Sequence, residues 1–325
     1  MYRILRSDLN RPGKFREKLC NYISNLKMEI LKHYGVDFDP EEIGDLLLSV
    51  CRSDDFNVIY RNGNKLFLNE SRVQEWVDRK LIPNTVIVSM DDEDIVRLLV
   101  FCMEMTYRMF SGGTRATITQ KGFRQRRRTF ESILVDQFVG KLGEVFVKKF
   151  LEANYPVSVE LDWKISTQIG KYRNDIVNAR KNVSVKSSPT LAGIWAEADM
   201  GYDYGIMVKC SVPQQPILQF FIEVCGFSRL LDFAEEKIPS GDDLFKDYLN
   251  KIRSRVEKYR CGEIQTSLKG IICGYFKTSE FSPIREGTEL PYLGVVREKR
   301  FLVPIDQLRW SKDDWKKFLE DVGLL

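Results

Sequence analysis

Asn174-Asp175-Ile176-Val177-Asn178-Ala179-Arg180-Lys181-Asn182-Val183-Ser184-Val185-Lys186-Ser187-Ser188 reads as two short β segments joined by a turn at 178–181, with an acid on the first and a lysine on the second. Side chains alternate between the two faces of a strand, so Val183 and Val185 point one way while Ser184 and Lys186 point the other. An ammonium beside a carboxylate on an otherwise apolar strand must be neutralised or used, because an unpaired buried charge is costly. Metal-dependent phosphodiester hydrolysis uses such a pair. The carboxylate, Asp175, would hold Mg²⁺, and Lys186 would orient the attacking water or stabilise charge on the phosphorane.

The arrangement resembles the PD-(D/E)xK nuclease superfamily, type II restriction endonucleases in particular, over residues 140–224. Asn174-Asp175-Ile176 stands where the family has Pro-Asp, and Ser184-Val185-Lys186 where it has (Asp/Glu)-x-Lys. A subset of restriction enzymes carries the same serine and supplies the missing carboxylate about thirteen residues downstream, from a helix. Thirteen residues after Lys186 lies Asp199, with Glu197 two positions earlier, in a stretch (191–199) expected to be a helical turn or two. Two positions along a helix differ by about 200°, which sets the two acids on different faces and favours Asp199 by register. The resemblance therefore implies Asp175, Lys186, Asp199, Glu144 and Ser184 as catalytic positions, and Asp175, Asp199, Glu144 and Glu197 as the candidate Mg²⁺ ligands. Subset members that read CCGG-type sites carry an Arg-(Asp/Glu)-Arg triplet just after the lysine. Ser187-Ser188-Pro189-Thr190 has none, so no such target is implied.

Composition narrows the field only broadly. The chain has 325 residues, 43% of them hydrophobic, and a formal charge of +4, so a nucleic-acid footprint has to come from local clustering. Seven cysteines, at 20, 51, 102, 210, 225, 261 and 273, contain no CxxC pair, which speaks against zinc ribbons and disulfide frameworks. A single histidine, His33, removes histidine-based triads and is expected to be a surface or packing residue. The first residues have no apolar run of signal-peptide length and no later segment spans a membrane, so the expected compartment is the cytoplasm.

Residues 1–110 read as a mainly helical accessory region. Leu19, Tyr22, Ile23, Leu26 and Ile30 recur at helical spacing. Asp39 is placed to cap a second helix that begins at Pro40 and carries Glu41 and Glu42 at its positive end. Asn62-Gly63 predicts a hairpin between 57–60 and 65–68, and Asn69 caps a further helix through Trp76 and Val77. Two helices and a hairpin suit either a winged-helix DNA reader or a small packing or dimerisation domain. Ile95, Leu98, Leu99, Cys102 and Met105 mark another helix, stopped by Ser111-Gly112-Gly113.

Residues 111–325 read as the nuclease domain. It opens on a basic run in which Arg115, Lys121, Arg124, Arg126, Arg127 and Arg128 meet no acid between 114 and 129, a composition suited to phosphate contacts. The next helix, 130–151, has an apolar stripe through Phe130, Ile133, Leu134, Phe138, Leu142, Val145 and Phe146, and glycines at 140 and 143 that permit close approach of another backbone. Glu144 lies on that helix; many superfamily members have a metal-binding Glu there, while pairing with Lys141 or Lys148 is the alternative. Val157, Val159 and Leu161 alternate as a strand. It leads into Asp162-Trp163-Lys164, a rival Asp-x-Lys. Further strands are expected at 204–209, 218–225 (carrying Glu223, a reserve ligand) and 270–276, with a charged helix at 242–260 and a hairpin at 293–303. The fold class is α/β, a restriction-endonuclease-like core with a mixed central sheet flanked by helices.

Two readings of function survive. One is a Mg²⁺-dependent type II endonuclease acting on double-stranded DNA as a homodimer, leaving 5′-phosphate and 3′-hydroxyl ends, as the resemblance implies. The other is a DNA-binding protein on a nuclease fold that has lost catalysis, which Ser184 would fit. Outside these two stands a third, weaker reading, a recombination or junction-resolving nuclease of the same superfamily.

Overall fold

The computed structural model describes residues 14–53, 56–62, 65–90, 92–111, 119–120, 126–127, 130–164, 174–212 and 267–325, together with scattered positions between 217 and 254. Helices α1 (Lys14–Tyr34) and α2 (Pro40–Ser53) come first. A hairpin follows, β1 (Ile59–Asn62) on β2 (Lys65–Leu68), in which Asn62 is paired opposite Lys65 and so ends its strand, where an Asn-Gly turn would have made it a central turn residue. Helix α3 (Glu70–Trp76) begins where the Asn69 side chain accepts from the Arg72 amide, and runs into a π-helical turn at Val77–Leu81. Strand β3 (Thr85–Ser89) and helix α4 (Glu93–Ser111) complete the N-terminal third.

The rest is built on helix α5 (Phe130–Asn154), preceded by the short strand pair β4 (Thr119–Gln120) and β5 (Arg126–Arg127). Beyond it come β6 (Val183–Ser188), β7 (Trp195–Asp199), β8 (Tyr204–Ser211) and β9 (Ser267–Lys277). The chain closes with β10 (Glu289–Leu290), β11 (Gly294–Val295), β12 (Arg300–Pro304) and helix α6 (Lys312–Val322), which starts on a Ser311/Asp314 capping box.

Four strands form a mixed sheet in the order β3-β9-β8-β6, antiparallel except for the parallel β8/β6 pair. Alternation along the strands sorts their residues into two cores. Val183, Val185, Ile206, Val208 and Ile272 pack with α4, α5 and α6, while Met207, Cys273 and Phe276 pack against a two-stranded ribbon of β7 and β12. A third core gathers α1, α2 and α3 with Leu191 and Ile271. Strand β3 belongs to the central sheet and α4 packs in the same core as α5, so residues on both sides of position 110 share one sheet. The fold is thus α/β with a mixed four-stranded sheet flanked by helices.

Four expectations are corrected. The stretch 191–199 is not helical: 195–199 is strand β7, held by five register pairs to β12, from Trp195 opposite Pro304 to Asp199 opposite Arg300. Residues 174–177 and 157–161 are not strands; each contributes only to the single bridge between Leu161 and Ile176. The 293–303 hairpin divides its strands, β11 pairing with β10 and β12 with β7. The proposed strand at 218–225 with Glu223, most of the 242–260 helix, and Arg115, Lys121, Arg124 and Arg128 lie outside the described residues. Of the remaining arginines, Arg126 and Arg127 are described only as backbone paired to Gln120 and Thr119.

Among the described residues no helix is long and apolar enough to cross a membrane. Cys51, Cys102, Cys210 and Cys273 are buried and in no disulfide, and His33 is exposed.

Candidate active site

A cleft of roughly 300 Å³ opens between α5 and the β6 edge of the sheet, lined by Glu144, Lys141, Asp162, Asp175, Lys186 and Tyr202 among others. Helix α5 approaches β6 closely because position 143 has no side chain. A Cβ there would lie 2.5 Å from the Ser187 Cβ, and the Ser187 hydroxyl donates to the Val139 carbonyl at 2.6 Å. The companion expectation for Gly140 does not hold, since nothing lies within 4 Å of a Cβ built there.

Asp175 grips β6 twice. Its amide donates to the Val183 carbonyl at 3.0 Å, and its carboxylate accepts from the Val185 amide at 2.6 Å. Asn174 replaces the ladder that a strand would have supplied: its carbonyl oxygen accepts from the Ile176 and Val183 amides at 3.3 and 3.0 Å, and its amide group donates to Ala179 and Lys181 carbonyls at 3.3 and 3.1 Å. That is why an acid at a bend, not on a strand, ends up beside Lys186. The signal was present in the sequence, since an Asn whose side chain bonds two residues on makes an Asx turn.

Glu144 faces the cleft paired with Lys141, the Nζ to carboxylate distance being 2.5 Å. Lys148 instead holds Asp94 at 2.9 Å. Lys141 also donates to the Asp162 carbonyl and sits 5.0 Å from the Trp163 ring centroid. Burial first, and then the nearby Asp175 charge, push the Glu144 carboxyl well above its ordinary value despite Lys141. Burial raises Asp175 as well, against the Val185 hydrogen bond and the Lys186 charge that favour its anion. Two carboxylates whose ionisation is disfavoured mark a place that gains from added positive charge.

Lys186 is balanced from the far side of β6. Burial disfavours its ammonium, but Asp199, 2.8 Å away, and then Glu197 and Asp175 outweigh that and raise its pKa. Because β7 is a strand, Glu197 and Asp199 share one face. Arg300 of the partner strand β12 binds Glu197 at 2.9 Å and lies 3.8 Å from Asp199. Neither acid lines the cleft with Glu144 and Asp175. Ser184 does not line it either; its hydroxyl is buried, with no hydrogen-bond partner among the described residues. Asp162 turns its carboxylate to the Lys164 amide at 2.9 Å, and Lys164 is an exposed residue.

Sequence reasoning missed Tyr202. It lines the cleft, and burial together with Asp175 and Asp199 push its phenol up to about 12, so it stays a neutral donor at ordinary pH.

No protein-family model, no curated protein and no solved structure matches this chain.

Among the described residues no group of three or more His, Cys, Asp and Glu side chains is arranged to hold a metal ion. Asp175 and Glu144 line the same cleft, and Mg²⁺, which keeps most of its water, is commonly bound through one or two carboxylates plus substrate phosphate. A larger hollow of roughly 620 Å³ at the start of α2 is lined by Asp39, Glu41, Glu42 and Asp45. That hollow has four acids and no basic residue in its lining, whereas the α5/β6 cleft, also lined by four acids (Asp136, Glu144, Asp162 and Asp175), offsets them with Lys141 and Lys186.

Proposed function

We propose that this chain is a Mg²⁺-dependent endonuclease that hydrolyses phosphodiester bonds of double-stranded DNA, acting as a homodimer in the manner of a type II restriction enzyme, on a restriction-endonuclease-like core. One observation carries the reading: Asp175, Glu144 and Lys186, read from the sequence as parts of one centre, line one cleft at the edge of the sheet.

Asp175 and Glu144 are the groups that would hold the ion, whose chemistry when bound is to polarise the phosphoryl oxygens as a Lewis acid. Asp175 is fixed by the Val185 amide, so its carboxylate needs no rearrangement to act. Lys186 keeps its proton because Asp199 stands behind it, and it presents a cation to a phosphate entering from the cleft. Lys141 and the Tyr202 hydroxyl add donors along the same wall. Basic residues between 115 and 128 would hold the flanking backbone.

A second reading, a DNA-binding protein without catalysis, draws on a specific pattern. Lysines pair with Glu144 and Asp199 at 2.5 and 2.8 Å, and a serine occupies the position where the superfamily has an acid.

Plasmid DNA incubated with the protein and Mg²⁺ separates the two. The endonuclease reading expects linearised plasmid with 5′-phosphate ends on sequencing, lost in Asp175→Ala and Lys186→Ala, both of which still bind DNA. Intact plasmid with retained binding selects the second reading, and near-normal cutting by either variant sinks the assignment of the centre.

A further inference from the structure

Lys186 lines a second cavity as well. On the β7 side of the β6 edge, about 380 Å³ is enclosed by Arg52, Lys186, Ser188, Thr190, Trp195 and Tyr292, with other neighbours. Its volume falls in the range of small-molecule sites, roughly 300–1,000 Å³. The lining combines cations and hydroxyls, which suit phosphate, with aromatic rings, which suit a base.

Tyr292 stands at this cavity in an unusual state. Its φ is 64°, a left-handed conformation that bulky residues rarely adopt, and the Arg52 guanidinium lies 4.3 Å from its ring centroid. The residue is 44% exposed. The turn between β10 and β11 sets this conformation, and it holds the ring at the cavity against Arg52. Trp195, with its indole N–H committed to the Pro291 carbonyl at 2.8 Å, ties the Tyr292 turn to β7. Glu197, the acid in the lining, is engaged by Arg300 at 2.9 Å.

We infer that this cavity receives one unstacked nucleotide of the DNA strand whose phosphate lies at Lys186, its base resting on the Tyr292 and Arg52 platform. The inference rests on the nuclease reading and deepens it by naming the substrate feature: an unpaired or extruded nucleotide next to the phosphate to be cut. Bases inside a continuous stack cannot reach a pocket of this kind, whereas an extrahelical base can. Stacking on an aromatic ring holds a base with little sequence preference.

The test compares two duplexes of equal length, one fully paired and one with a single unpaired 2-aminopurine, bound without divalent metal so that neither is cut. The unpaired duplex should bind on the order of tenfold tighter, the effect of one good base–aromatic stack. Its fluorescence should be quenched on binding. Tyr292→Leu should remove both the preference and the quenching, and Tyr292→Phe should keep them. Equal affinity for both duplexes with unchanged fluorescence overturns the inference and leaves the nuclease reading standing. Preference and quenching that persist in Tyr292→Leu overturn it too. Failure to bind either duplex defeats the nuclease reading, and the inference with it.

Discussion

At Lys186 the decisive question is which neighbour keeps its proton in place. Asp199 is 2.8 Å away and Glu197 is held by Arg300, so the two acids have different duties although they share a strand face. The folded protein raises the Lys186 pKa, which preserves the ammonium to higher pH than burial alone would allow. Asp199→Asn removes the largest source of that support. In the cleavage reaction proposed above, the alkaline limb of kcat/KM should move to lower pH, and activity on the alkaline side should fall roughly tenfold for each pKa unit lost. Glu197→Gln frees Arg300 instead and should move the limb less. A pH profile unchanged by Asp199→Asn would show that Lys186 does not depend on this pair. Asp199 was legible from its spacing after Lys186; its role as the lysine's counter-charge was not, because Arg300 and β12 stand about a hundred residues away in the chain.

Helix α5 and strand β6 meet where two glycines could have served, and only one does. A methyl group at 143 would lie 2.5 Å from the Ser187 Cβ and 3.7 Å from its Cα, so strand or helix must shift. Gly143→Ala should cost about 1–3 kcal/mol, the usual effect of overpacking. Gly140→Ala meets nothing within 4 Å and should gain up to about 1 kcal/mol from helix propensity. Urea unfolding of both variants measures the contrast, and similar shifts of the same sign would refute the close approach. Helix ends were readable because caps are local: Pro40 opens α2, and Asn69 caps α3. Strand β7 was misread for the opposite reason. Ala-Glu-Ala-Asp favours helix locally, yet Ala196 and Ala198 are buried while Glu197 and Asp199 are half-buried, a period-two pattern that pairing with β12 enforces.

Across the molecule, Asp321 of α6 ties three separate segments together. Its carboxylate accepts from Lys181 at 2.6 Å, from Lys277 at 3.2 Å and from the Tyr204 hydroxyl. The Lys181 and Tyr204 hydrogen bonds, with Lys277, hold its pKa far below the usual carboxylate range. A depressed folded value means that the anion stabilises the fold above the unfolded pKa, about 3.9. That contribution fades as pH falls towards the folded value. Asp321→Asn should therefore lower the Tm at neutral pH, with the difference from wild type shrinking in acid. A gap that stays constant from neutral pH to about pH 3 would mean that the contact acts through shape and not charge.

The sequence by itself determined the local grammar of this protein: the helix caps, the hairpin of 57–60 on 65–68, and the apolar stripe of α5; and it singled out Asp175, Lys186 and Glu144, which line one cleft. These follow from periods, turn chemistry and charges that act within a few positions of the chain. Tertiary structure alone decided that β7 is a strand on β12, that Lys141 and not Lys148 neutralises Glu144, that β3 joins the central sheet, and that Lys186 stands between two cavities. The strand pairings and the two cavities depend on contacts whose partners are distant in sequence, as does the choice of lysine at Glu144, since Lys148 is drawn to Asp94 54 residues away, and the loss of chain entropy in closing such contacts is offset only when the whole sheet forms.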